Sequence, residues 1–229
     1  MIRFLFLTTP RSGSTMLRLF LTDHPSVEMH VLFVRPPRAK MNEVSTYKAW
    51  LDFQSSGPSL GKTHLGTFTF REDYDWIKRC YTGTGEFWSD MRERHDYYVC
   101  LHRENLLKQY LSNRIGNYPG GRKQDKPRTQ QPVPITLLTP HFLAYVSTHQ
   151  SLRKKIDSNF PDRLIVTYEQ LTDEWQLVTR RIQKYLGLPI VEVPPRTFRQ
   201  ETRTLKEAIA NYDDVARCVE KINRTEWLE

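Results

Sequence analysis

Apolar positions follow two rhythms along this chain. Dense runs at Ile2–Leu7, Tyr97–Leu101 and Arg163–Tyr168 read as buried strands. Three-to-four spacing marks helices over Met16–Leu21, Leu106–Ile115, and from Thr139 through Phe142, Val146, His149, Leu152 and Ile156 to a stop at Asn159-Phe160-Pro161. Between them, Asp23–Val27 forms a turn because Pro25 blocks helix continuation. Val27–Val34 is a short strand or an irregular segment, and 45–56 is a helix partly burying Tyr47, Trp50, Leu51 and Phe53. Leu60–Leu65, bracketed by Gly57-Pro58 and Gly66, predicts a short strand, and 70–95 one or two helices. Thr172–Leu186 is a helix stopped by Gly187 and Pro189, and Leu205–Val219 a last helix. Strands alternating with helices predict a three-layer α/β domain with a central parallel sheet flanked by helices, its ligand at the strand C-terminal ends. The loops at 8–15, 61–65 and 101–104 follow strands in this reading and converge on one cleft.

A chain of 229 residues fits a single domain spanning 1–229. With 38% hydrophobic and 12% aromatic residues it is no disordered chain, and a mean hydropathy of −0.61 argues against a membrane protein. No run approaches the roughly 20 apolar residues of a membrane span. The net charge of +8 favours anionic partners. Cys80, Cys100 and Cys218 are widely spaced and form no metal-ligand pairing, which predicts reduced thiols and a cytoplasmic protein.

The chemistry concentrates in Thr8-Thr9-Pro10-Arg11-Ser12-Gly13-Ser14-Thr15, between the first strand and the first helix. A loop there aims the free amides of the helix start at one point, where the helix dipole adds positive charge. Gly13 permits close backbone approach, Ser12, Ser14 and Thr15 offer hydroxyl donors, and Arg11 adds a charged fork suited to phosphate or sulfate oxygens. The alternative is an ordinary capped strand-to-helix turn. A Walker loop would require an earlier glycine and a Lys directly after Gly13; neither is present.

The run Thr9–Thr15 resembles the 5′-phosphosulfate loop of sulfotransferases, which use 3′-phosphoadenosine 5′-phosphosulfate (PAPS). The cytosolic branch usually places Lys where Arg11 stands; tyrosylprotein and several bacterial branches place Arg. Lys62-Thr63-His64-Leu65 resembles that family's catalytic segment, with Gly66 where Pro is usual, and so implies His64 as the general base with Lys62 beside it. Bacterial and tyrosylprotein branches instead use a Glu shortly after a turn like His24-Pro25. Leu32 stands near that position here, and Glu28 is the substitute. The sequence leaves His64 and Glu28 both open.

Strand, Arg103, helix and Ser112 together resemble the family's 3′-phosphate site, with a spacing of nine residues where eight is common. Tyr168-Glu169-Gln170-Leu171 is similar to a Tyr-Glu-Asp-Leu stretch of the fold. The family's C-terminal Lys-Gly-x-x-Gly-Asp-Trp segment is absent, and Arg199 or Arg203 is the candidate to replace it.

The resemblance implies a P-loop-like, PAPS-dependent transferase performing sulfation. The sulfuryl group passes in line to a hydroxyl or amine of a small-molecule, glycan or lipid acceptor, leaving adenosine 3′,5′-bisphosphate, with no metal required. Arg11 and Lys62 stabilise charge on the bridging oxygen, His64 takes the acceptor proton, and Arg11, Ser12, Gly13, Ser14, Thr15, Arg103 and Ser112 bind the donor. Tyr47, Trp50, Phe68, Phe70 and Trp76 frame the acceptor or lie in the core. The alternatives are a P-loop nucleotide-dependent kinase, needing magnesium and a Walker Lys, and a basic binder of nucleic acid or acidic glycan. The second has only a faint signature, around 118–128.

Overall fold

The computed structural model describes residues 2–31, 64–69, 84–116, 133–196 and 203–229. It divides into two compact units, one built from 1–102 with 158–195 and the other from 103–157 with 196–229.

The first unit is organised on a parallel sheet. Its strands are β1 (Ile2–Thr8), β2 (Val27–Val31), β3 (His64–Thr69), β4 (Tyr97–His102) and β5 (Leu164–Thr167), in spatial order β2-β3-β1-β4-β5. β1, in the middle, is buried on both faces, which explains its unbroken apolar run. Phe4 and Phe6 point to one face and Leu5 and Leu7 to the other, all at most 1% exposed. On the first face, Phe4, Phe6, Val99, Leu101 and Val166 pack with Leu17, Phe20 and Leu21 of α1 (Ser14–Asp23). Leu171, Val178 and Ile182 join that core from downstream helices. On the other, Tyr98 meets Phe160 at 4.6 Å, and Trp88 of α2 (Thr84–Arg94) meets the same ring at 5.7 Å. Helices thus cover the sheet on both sides, as the alternating pattern predicts.

Several boundaries correct the sequence reading. The strand expected over 60–65 begins at His64 and continues to Thr69, and residues 60–63 lie outside the described residues. Gly66 does not end it, because β3 is an inner strand: Gly66 is paired with Phe4 on one side and Met29 on the other, and two ladders hold what a glycine alone weakens. The helix expected over Thr172–Leu186 lies in two, Tyr168–Asp173 and Trp175–Tyr185, broken at Glu174 (φ −131°, ψ 41°). β5 stops at Thr167 because that side chain turns to cap the next helix, accepting from the Gln170 amide at 3.1 Å.

The second unit is helical. Its core joins Leu107, Tyr110, Leu111 and Ile115 of α3 (Leu106–Gly116) to Phe142 and Val146 of α4 (Thr139–Asn159) and to Val215, Val219 and Trp227. The last predicted helix is also split, into Leu205–Ala208 and Tyr212–Lys221. The break is imposed by a parallel bridge in which Ile135 donates to Ala208 O and accepts from Ala210 N, each at 3.0 Å. The helix expected at 45–56 and the basic stretch around 118–128 lie outside the described residues.

Candidate active site

β1 delivers Thr8 to the C-terminal edge of the sheet, and the chain turns there through 9–13 into α1. Two residues of this turn have left-handed backbone: Arg11 at φ 65° and Gly13 at φ 87°. For Gly13 that conformation is free of cost; for Arg11 it is strained by about 1 kcal/mol or more. Alternating handedness of this kind turns successive amides toward a common concavity, an anion nest. Gly13 is the N-cap of α1 and brings no side chain to the cap, so it leaves the amides of the first helical turn uncapped.

A further reason for Gly13 lies across the sheet. The ring of Tyr168, first residue of the helix after β5, packs so closely that a Cβ on Gly13 would stand 2.8 Å from Tyr168 Cδ2. Tyr168 is fixed by the Thr167–Gln170 capping box and by Arg181, whose guanidinium donates to Ile165 O at 3.0 Å and Gln170 Oε1 at 3.2 Å. The Tyr-Glu-Gln-Leu stretch, which the sequence marks as a feature of fold, therefore also shapes the loop.

The three hydroxyls expected to serve a ligand separate into two roles. Ser12 is fully buried, and its single proton goes to Thr9 O at 2.6 Å. Its oxygen then accepts from Thr8 Oγ1 at 2.7 Å. Ser12 thus spends its proton inside the loop. Ser14 and Thr15 open α1, where their amides join the nest.

Strand register decides the fate of the candidate bases. In the parallel ladder His64 is opposite Ile2, at the start of β1, whereas the loop follows Thr8. Six residues of strand separate them, about 20 Å, so the structure does not bring His64 together with Arg11. A strand over 60–65 would put His64 at a C-terminal edge; β3 runs His64–Thr69 and puts it at the opposite end. Glu28 is paired with Leu65, itself opposite Arg3, and lies toward the same far edge. Lys62 lies outside the described residues.

Sequence reasoning passed over His102. It ends β4 opposite Thr167, one rung beyond the Thr8–Leu101 pair, on the edge from which the loop springs. Its imidazole Nε2 lies 3.5 Å from the Cys100 thiol, which shares its parity on the strand. The available signal was its place at the end of a strong predicted strand. His24, by contrast, is structural: fully buried, its Nδ1 accepts from Ser26 N at 3.1 Å, so Nε2 carries the proton and donates to Pro189 O at 3.0 Å.

In the second unit, Arg103 follows β4 directly and Ser112 is on α3, the strand–Arg–helix–Ser order expected from the sequence. Asn105 caps α3, accepting from the Lys108 amide at 2.9 Å while its Nδ2 donates to Trp227 O at 3.0 Å. Among the described residues no group of His, Cys, Asp or Glu is placed to hold a metal ion, and no helix is long and apolar enough to cross a membrane.

The first unit has the P-loop-like α/β architecture: a parallel sheet, helices on both faces, and an anion nest between the first strand and helix. Among solved structures, the chain is similar to a sulfotransferase from Alicyclobacillus acidocaldarius, with TM-score 0.54 and 16% identity, over 100% of this chain and 99% of that one. A mouse sulfotransferase complexed with PAP aligns at TM-score 0.44 and 10% identity, over 83% of this chain and 61% of the other. No protein-family model and no curated protein matches the chain.

Proposed function

We propose that this chain is a PAPS-dependent sulfotransferase, one domain in the functional sense over 1–229, moving a sulfuryl group to a hydroxyl or amine of a small-molecule, glycan or lipid acceptor. The observation that carries this reading is the left-handed pair Arg11 and Gly13 at the start of an uncapped helix, within the sequence that resembles a 5′-phosphosulfate loop. The amides of 13–15 and the Arg11 guanidinium hold the 5′-phosphosulfate, and Arg11 stabilises charge on the bridging oxygen as the S–O bond to the donor breaks. Arg103 and Ser112 are assigned the 3′-phosphate on the sequence resemblance. The acceptor oxygen forms the new S–O bond and surrenders its proton to an imidazole on the loop edge, for which His102 replaces His64. As in phosphoryl transfer, orientation and electrostatics supply most of the acceleration.

The kinase alternative is disfavoured by Ser14, which occupies the place of the Walker Lys directly after Gly13. Titration calorimetry of the full chain with PAPS, adenosine 3′,5′-bisphosphate and ATP, each with and without magnesium, tests the reading. Tight binding of both 3′-phosphorylated nucleotides and weak binding of ATP is expected; a magnesium-dependent preference for ATP would overturn it.

A further inference from the structure

We infer that Thr8 and Ser12 are positioning residues that hold Arg11 in its strained backbone conformation, a role that rests on reading 8–15 as the 5′-phosphate site. A non-glycine residue at φ 65° persists only where its surroundings over-determine it. β1 fixes the chain up to Thr8 and α1 fixes it from Ser14, leaving a short bridge between them. Within that bridge, the Ser12 hydroxyl donates to Thr9 O at 2.6 Å, closing a ring across Pro10 and Arg11. The Thr8 hydroxyl donates to Ser12 Oγ at 2.7 Å and sets the rotamer that makes the closure.

Thr8 is 4% exposed and Ser12 0%, so water does not compete for either bond: without Thr8 the Ser12 oxygen loses its donor, and without Ser12 the Thr8 hydroxyl keeps only the longer contact to Thr9 O at 3.3 Å. Without the closure Arg11 relaxes toward negative φ. The peptide planes on either side of it then turn, and the nest amides no longer converge. Because its proton is spent inside the loop, Ser12 acts on a phosphate through Arg11 and the neighbouring amides. Thr8, a residue of the strand, thereby acts on a ligand it does not touch.

A double-mutant cycle with two ligands separates this role from direct contact and from general support of the fold. Thr8→Val, Ser12→Ala, the double variant and the hydroxyl-retaining Thr8→Ser are titrated with adenosine 3′,5′-bisphosphate and with adenosine 3′-monophosphate, which lacks the 5′-phosphate. Thr8→Ala replaces Thr8→Val should the latter fail to melt cooperatively. Each single variant is expected to bind the bisphosphate about tenfold more weakly, with the monophosphate unchanged, the double variant no worse than either single, and Thr8→Ser close to wild type. Three outcomes would overturn the inference: a loss in Ser12→Ala without one in Thr8→Val, which is direct contact; additive losses; or equal losses for both nucleotides. Wild-type protein that does not distinguish the two nucleotides overturns the 5′-phosphate reading itself, and that control is read before any variant.

Discussion

Tyr168 closes over Gly13 so tightly that a single added methyl would stand 2.8 Å from its ring. Two restrictions therefore coincide at this glycine, a left-handed φ of 87° and the absence of room for a Cβ. Gly13→Ala meets both. The backbone term alone costs about 1–2 kcal/mol, and the backbone that carries the ring is held in a capping box. The expected outcome is a lowered melting temperature together with at least tenfold weaker binding of adenosine 3′,5′-bisphosphate. Gly13→Ala combined with Tyr168→Ala should recover part of the stability, since it relieves the clash and leaves the strain. A Gly13→Ala protein with wild-type affinity would show that the loop tolerates a different backbone.

The register of β3 predicts an outcome opposite to the one the sequence suggests. His64→Ala should retain near wild-type turnover, because that residue begins its strand about 20 Å from the loop. His102→Ala should lower turnover by about a hundredfold or more while leaving nucleotide affinity within a few-fold. A sulfation assay with labelled donor checks both, and loss of turnover in His64→Ala with intact donor binding would restore His64 as the base.

What could be read from the sequence, and what could not, divides along the range of the interactions. The strand–loop–helix at the N-terminus was legible because β1 carries a continuous apolar run and the loop its own glycine and arginine. The strand–Arg103–helix order was legible for the same local reason. The left-handed state of Arg11 was not, since it depends on a hydroxyl pair whose donor, Thr8, reads as the last residue of a strand. Nor was the position of His64: Gly66 looked like a strand breaker, and only pairing on both sides keeps it inside β3. The divided C-terminal helix likewise required Ile135, distant in sequence, to bridge Ile209.

Stability should fall with acid through a single identifiable imidazole. Burial, followed by the positive charges of Arg3 and Arg94, depresses the His95 pKa from 6.5 to about 4, against the opposing effects of its hydrogen bond to Met91 O and of Asp96. A depressed histidine is neutral in the folded chain where the unfolded chain already binds a proton. Its contribution is therefore complete above pH 6.5, is lost as the pH falls toward 4, and amounts to no more than about 2 kcal/mol after allowance for its half-buried ring. Urea unfolding across that window should show the slope, and His95→Asn should flatten it. An unchanged slope in the variant would assign the acid sensitivity to other groups.

Asn105 joins the start of α3 to the end of the chain: its carbonyl oxygen accepts from the Lys108 amide and its amide donates to Trp227 O. Trp227 is itself buried among Phe142 and its neighbours, so the C-terminal turn acts as a fixed post for the helix that carries Ser112. The sequence holds no Lys-Gly-x-x-Gly-Asp-Trp segment, and the Asn105–Trp227 tie anchors the start of the helix that carries Ser112. Asn105→Ala removes the cap and the tie together, for an expected loss of about 1–2 kcal/mol. Asn105→Asp keeps an acceptor for Lys108 and loses the donor to Trp227. If the tie matters to the proposed 3′-phosphate site, Asn105→Asp should retain most of the stability yet narrow the preference for adenosine 3′,5′-bisphosphate over adenosine 5′-monophosphate several-fold. A variant in which that preference is unaltered would reduce Asn105 to an ordinary helix cap.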